Sequence, residues 1–224
     1  MFGEGMDQPL RVMRQTEGWL SEAEAIALYE VSSNLPAPVV AVEIGSWHGK
    51  SSVMVAGGIR KSGGGTLYAL DPFVGAEGHA ASRMPTKSAA SYLETFLKNV
   101  ESAGVKKFVC PVQGFSYDIV KAWKEPIDFI FIDGEHEYDD VKGDFDQWSP
   151  HIKPGGFVGF HDAYGNWPGP TRVVEEELRP PLWRIVRRAD SLVVAQKLQQ
   201  GGEVGQGNSE ATTALSAQTP IQKP

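Results

Sequence analysis

The chain predicts an α/β fold: a Rossmann-like, doubly wound sheet, mostly parallel, with helices on both faces. Short apolar runs near 39–44, 66–70, 107–112, 127–132 and 156–160 alternate with helical periods, the pattern of parallel strands joined by crossover helices. One of these runs, Val39 to Ile44, passes through Gly45 into a helix that opens near Gly49, a strand-turn-helix of the kind that receives nucleotides. A length of 224 residues with 41% hydrophobic composition supports one substantial core rather than two.

Residues 1–37 are expected to form an N-terminal helical cap. Ser21 and Glu24 stand at capping-box spacing, and Ala23, Ile26, Ala27 and Tyr29 supply an apolar face ahead of Pro36. The main domain then spans 38–198. Its first helix runs from Lys50 to about Lys61 and stops at Ser-Gly-Gly-Gly. A Gly/Ala-rich loop between Pro72 and Pro85 carries His79 and Arg83, as a lid or an insert. A helix over Ser88 to Ala103 places Ala89, Tyr92, Phe96 and Val100 on one stripe and ends at Gly104, and another covers Tyr138 to His151 before Lys-Pro-Gly-Gly. After Thr171–Leu178, two runs, Leu182–Arg187 and Ser191–Lys197, form strands about a tight turn at Arg188 to Asp190. Residues 199–224 are rich in Gly, Gln, Ser and Thr, cannot bury enough apolar surface to offset chain entropy, and are read as a disordered tail.

A net charge of −7 argues against nucleic acid as a partner, because phosphate contacts need clustered cations. Arg179, Arg184, Arg187 and Arg188 do gather late in the chain, where a solvated strand edge accounts for them. The single cysteine, Cys110, has no disulfide partner and is expected to be a buried strand residue. The N-terminus lacks a basic start and an apolar stretch, and no apolar run is long enough to span a membrane. A cytoplasmic location is the resulting expectation.

The turn after the first strand leaves two nucleoside readings open. A dehydrogenase fingerprint wants a third glycine at the helix, with the pyrophosphate on the helix N-terminus. Here Ser51 takes that position, and Ser46, Trp47, His48 and Lys50 crowd the turn. Such a turn leaves little room for a pyrophosphate and suits a smaller, cationic amino-acid head. Glu43 at the strand's carboxyl end can accept an ammonium, and Asp71 ends the second strand where a carboxylate accepts both hydroxyls of a ribose.

The stretch Glu43-Ile44-Gly45-Ser46-Trp47-His48-Gly49-Lys50-Ser51 resembles the first motif of class I S-adenosylmethionine-dependent methyltransferases, particularly the metal-dependent small-molecule O-methyltransferases that include catechol O-methyltransferase. The resemblance continues through Asp71, Gly114-Phe115-Ser116, Asp133 and His161-Asp162. It is closer to bacterial members with Ile-Asp-Gly-x-His-x-Tyr and Pro-Gly-Gly-x-x-x-x-His-Asp, several of which act on sugars. It implies an antiparallel hairpin closing the sheet and S-adenosylmethionine as cofactor. Glu43, Gly45, Ser46, Trp47, Gly49, Ser51, Asp71, Gly114, Phe115, Ser116 and Asp133 would bind that cofactor, with Phe115 stacked on adenine.

Two neighbouring strand ends, at Asp133 and at His161-Asp162, can converge beside that cleft. A divalent ion, Mg or Mn, would take Asp133, His161 and Asp162, provided the strand has ended by His161 so that both side chains reach one side. Relatives carry Asp, Asp and Asn at the matching positions, and an imidazole shifts preference toward Mn, Fe, Co or Zn. His136 stands where catechol-type relatives carry a lysine base and is the expected catalytic base. The expected acceptor is a small molecule or saccharide, for which Tyr164 and Trp167 offer aromatic faces; a homodimer is an open option. A catechol acceptor, a nicotinamide-dependent dehydrogenase and a non-catalytic nucleoside-binding module are the alternatives.

Overall fold

A computed structural model describes residues 5–74 and 89–199. His79 and Arg83 of the expected lid lie outside these residues, as does the expected tail from residue 200 onward. Seven strands form one sheet: β1 (Val39–Ile44), β2 (Gly65–Asp71), β3 (Val109–Gln113), β4 (Ile127–Ile132), β5 (Ile152–Phe160), β6 (Trp183–Ala189) and β7 (Leu192–Lys197). Their order is β3-β2-β1-β4-β5-β7-β6. β1 to β5 are parallel, while β7 runs antiparallel to β5 and β6 antiparallel to β7. The helices are α1 (Asp7–Gln15), α2 (Glu22–Ser33), α3 (Ser52–Ser62), α4 (Ala89–Ser102), α5 (Ser116–Ile119), α6 (Tyr138–Trp148) and α7 (Pro168–Glu177).

Period-two alternation divides the core into two layers. Phe129 and Phe131 of β4 face Leu28, Met54 and Phe96 of α2, α3 and α4. Ile130 of the same strand faces the opposite layer, with Phe145, Trp148 and Val173 of α6 and α7. Every residue of β4 is buried, as a central parallel strand covered on both faces requires. Its one carboxylate, Asp128, accepts from Val40 N at 2.8 Å and from Lys153 Nζ at 2.8 Å, which offsets the cost of burying it. The chain reverses direction across the sheet between β1 and β4, opening a crevice at the strands' carboxyl edge.

Several expectations change in detail. α1 has no counterpart in the sequence reading; it is only nine residues long with Pro9 in its first turn, and only burial of Leu10, Val12 and Met13 makes its apolar face visible. The capping box of α2 forms, with Ser21 Oγ accepting from Glu24 N at 3.2 Å and Glu24 Oε2 from Ser21 N at 2.7 Å. Its buried face is Ala25, Ala27, Leu28, Tyr29 and Ser32, while Ala23 is exposed. The face is set by α3, which approaches so closely that a Cβ on Gly58 would lie 2.0 Å from Ser32 Oγ. Cys110 is exposed, not buried; β3 is an edge strand, and its outward face stays uncovered. β5 begins at Ile152, so Lys-Pro-Gly-Gly lies within the strand, and β6 runs to Ala189, leaving Asp190-Ser191 as the hairpin turn. The late arginines Arg184, Arg187 and Arg188 sit on β6, the other edge.

Gly45 has φ +86°, and a Cβ there would fall 2.0 Å from the carbonyl oxygen of Asp133. The glycine is required by the protein's own backbone at the end of β4 rather than by space left for a ligand. A Gly45→Ala substitution should therefore destabilise the protein by on the order of 4 kcal/mol, read as a lower midpoint in urea unfolding. An unchanged midpoint would show that the two strand ends are not held this tightly.

Candidate active site

The carboxyl edge of β1 and β2 carries the residues expected to bind the cofactor. Glu43 is fully buried; Ser52 Oγ donates a short hydrogen bond to its Oε2, while Oε1 has no partner among the described residues. Burial pushes this carboxyl up to about 7, so the cofactor-free protein holds an acid whose ionised form lacks a cation. Ser46 and Ser51 are buried beside the same turn. Trp47 adopts φ 40° and donates its backbone N–H to Asp71 Oδ2 at 2.8 Å, and Phe73 N donates to Asp71 Oδ1 at 2.5 Å. Asp71 thus first ties the turn after β1 to the end of β2, keeping a second lone pair on each oxygen for a ligand. Gly49, at φ +81°, is needed because a Cβ would meet the Phe96 ring at 2.9 Å.

Trp47 is the middle of a ring stack. Trp19 lies 5.4 Å from it, His48 lies 4.1 Å away on the other side, and Tyr92 follows 5.2 Å from His48. Lys50 Nζ donates to Thr16 O at 2.8 Å, so the segment before α2 is strapped onto the turn. After β3, Gly114 is at φ +153° and Phe115 stacks on Tyr117 at 5.2 Å, both rings partly exposed. Ser116 Oγ donates a short hydrogen bond to Asp144 Oδ1 of α6. Burial pushes Asp144 up to about 6. Asp144 is a residue the sequence reading passed over, since a polar residue inside a helix carries no signal of its partner.

The reactive half lies at the ends of β4 and β5. His161 N still continues the ladder to Ile132 O at 3.1 Å, and Asp162 then turns into the left-handed region at φ 55°. That turn brings both side chains to one side, the condition the sequence reading set. His161 Nδ1 lies 3.2 Å from Asp133 Oδ1 and 3.1 Å from Asp162 Oδ2, and His136 Nε2 lies 2.9 Å from Asp162 Oδ2. Ligand atoms of Asp133, His136 and Asp162 all fall within 4.8 Å of one another. The four predicted residues therefore converge.

Charge in this cluster is unevenly distributed. Burial alone would lower the His161 imidazole, but the carboxylates of Asp133, Asp162 and Glu24 outweigh it and push it up to about 12. The two histidines hold Asp162 well below the usual carboxylate range against the cost of burial, while burial raises Asp133. His161 is buried at 5% exposure and His136 is half open at 24%, stacked on Trp167 at 4.7 Å. The loop carrying His136 is braced by α7, where a Cβ on Gly169 would lie 2.2 Å from His136 O. Glu24 was legible only as a helix cap; that its carboxylate faces His161 Nε2 at 3.3 Å depends on contacts across 137 residues of sequence.

A seven-stranded sheet of this order with a terminal antiparallel hairpin, and a nucleoside edge beside an acidic cluster, define a class I S-adenosylmethionine-dependent methyltransferase. Residues 42–163 match the family model of a methyltransferase domain. This is more than half of the chain, and the protein belongs to that family. Uncharacterized protein y4gI of Sinorhizobium fredii is 47% identical over 37 residues, 16% of this chain and 4% of that protein's length. Among solved structures, a protein of Corynebacterium glutamicum superposes with a TM-score of 0.67 at 15% identity, covering 90% of this chain and 94% of that one. The O-methyltransferase of Bacillus cereus in complex with SAH gives 0.60 at 18% identity, covering 89% and 92%. Among the described residues no helix is long and apolar enough to cross a membrane.

Proposed function

We propose that the protein transfers the methyl group of S-adenosylmethionine to a hydroxyl of a small molecule, a sugar or saccharide in the first instance, with His136 as the base. The observation that carries this reading is the imidazole of His136, paired with Asp162 at 2.9 Å at the same sheet edge as the buried Glu43, whose Oε1 has no partner among the described residues. A carboxylate–imidazole pair orients a base, as in other proton-transfer sites. The structural neighbour from Bacillus cereus is an O-methyltransferase, which supports oxygen as the acceptor atom. The His136 ring stacks on Trp167, and Tyr164 lies close by in sequence with Arg188 over its ring; these partly exposed aromatic faces favour an acceptor with a flat apolar side. A catechol fits those faces as well and is the second acceptor class to test.

The residues fit the cofactor. Glu43 Oε1 is a buried acceptor lacking a donor, and the ammonium of the methionine moiety supplies one. The bound cofactor presents a methyl group on a sulfonium, already electrophilic, so the protein's task is to orient the acceptor and remove its proton. The cluster also fits a divalent ion: Asp133 and Asp162 offer hard oxygens, with His136 in reach of both and His161 Nδ1 facing them as a ligand once the ion displaces its proton. When bound, the ion lowers the pKa of the acceptor hydroxyl. His136 is the more exposed imidazole and stays available to take the proton, while Asp162 keeps its ring in place.

The test is methyl transfer from labelled S-adenosylmethionine to a panel of saccharides and catechols, with and without chelator. Product with saccharides, lost on chelation and restored by Mn2+, is the expected result. Transfer to no hydroxyl acceptor would overturn the reading; transfer unaffected by chelation would remove the ion.

A further inference from the structure

The glutamate of a capping box ordinarily reaches back to the N-cap amide at the surface, and glutamine serves there equally well. Glu24 does this and more. It is buried to 2% exposure, beneath the hairpin turn between β6 and β7. Its Oε1 accepts from Ser191 N at 2.9 Å and Ser191 Oγ at 2.6 Å, and its Oε2 accepts from Ser21 N at 2.7 Å while facing His161 Nε2 at 3.3 Å. Both oxygens accept from backbone N–H groups, and among the partners only the imidazole can carry the positive charge that offsets a buried carboxylate.

We propose that Glu24 is a positioning residue of the reaction centre: from the N-terminal cap it holds the Nε2–H of His161 and so directs Nδ1 at Asp133 and Asp162. A carboxylate only accepts, so Nε2 facing Glu24 bears hydrogen; Nδ1, facing Asp133 and Asp162, bears one as well until an ion displaces it, and its direction follows from the anchored Nε2. Nδ1 then stands 3.2 Å from Asp133 Oδ1 and 3.1 Å from Asp162 Oδ2. This is the arrangement in which an outer carboxylate fixes a ligating histidine, and for its effect on ion binding the inference rests on the divalent-ion reading above. It makes the N-terminal segment part of the site rather than a cover over it. Ser21 Oγ, which also donates to Asp190 Oδ2 at 2.7 Å, helps to seat the helix against the same turn.

The test compares Glu24→Gln with Ser21→Ala in the full-length protein. Glu24→Gln keeps the side-chain volume and one accepting oxygen, and so only one of the two backbone bonds, to Ser21 N or to Ser191 N; it should weaken Mn2+ binding by roughly 10- to 100-fold in isothermal titration. It should also abolish the downfield His161 Nε2–H resonance in the ion-free protein. Ser21→Ala removes cap hydrogen bonds without removing the carboxylate; it should lower Tm by roughly 2–4 °C and spare Mn2+ affinity. Wild-type Mn2+ affinity in Glu24→Gln would overturn the proposal. If the wild-type protein itself binds no Mn2+, the ion reading fails, and the resonance alone decides: its persistence in Glu24→Gln would overturn the positioning role.

Discussion

His136→Ala should lower turnover by roughly 10²- to 10⁴-fold, the usual contribution of a positioned base, with S-adenosylmethionine affinity within twofold of the wild type. The separation follows from position. His136 lies in the loop after β4, paired with Asp162 and stacked on Trp167, whereas the proposed cofactor residues other than Asp133 follow β1, β2 and β3. Removing the ring also deletes a stacking partner of Trp167, so KM for the acceptor should rise as well. His136→Gln, which keeps a polar side chain of similar reach but no base, should be nearly as slow. Single-turnover kinetics together with cofactor titration give both quantities. Turnover above a tenth of wild type in either variant would mean that another group takes the proton.

The second large effect concerns Glu43. Its folded-state pKa stands at about 7 against an ordinary 4.5, so between those values the folded protein binds a proton that the unfolded chain has released. Stability from this group is complete below pH 4.5 and is lost as pH rises through 7. At about 1.4 kcal/mol per unit, the fully buried side chain gives a loss on the order of 3 kcal/mol in the cofactor-free protein. The neutral isostere Glu43→Gln lacks this dependence, so the wild type should lose stability relative to it between pH 4.5 and pH 8 in denaturant titrations. Groups common to the two proteins, such as Asp144, cancel in the difference. With S-adenosylmethionine bound, the ammonium beside Glu43 favours the ionised form; cofactor affinity of the wild type, but not of Glu43→Gln, should rise over the same range. Parallel stability curves for the two proteins would show that Glu43 meets no such environment.

Much of this was legible along the chain because parallel strands and their following turns are local signals. The apolar runs marked β1, β2, β4 and the latter part of β5, and the turn residues after them, Gly45, Asp71, Asp133 and His161-Asp162, follow at the strand ends with no long-range information. Periodicity located α3, α4 and α6 to within a few residues. It failed for α1, where Pro9 and nine residues leave too short a pattern, and for Cys110, whose exposure depends on β3 being an edge. The glycines were legible as special but not for the right reason. Gly45 and Gly49 admit the Asp133 carbonyl and the Phe96 ring, contacts that no local reading supplies.

From the sequence and its resemblance to class I methyltransferases came the fold class, the candidate cofactor edge and the identities of the four residues that meet at the ends of β4 and β5, because strand ends in a parallel sheet share one edge. Tertiary packing alone decided how those residues divide the charge. Whether His161 is an open ligand or an imidazole held among three carboxylates depends on Glu24, delivered by α2 beneath the Asp190-Ser191 turn. Proton affinities are set by groups a few ångströms away in space, and in this protein one of those groups, Glu24, lies 137 residues from His161 in sequence.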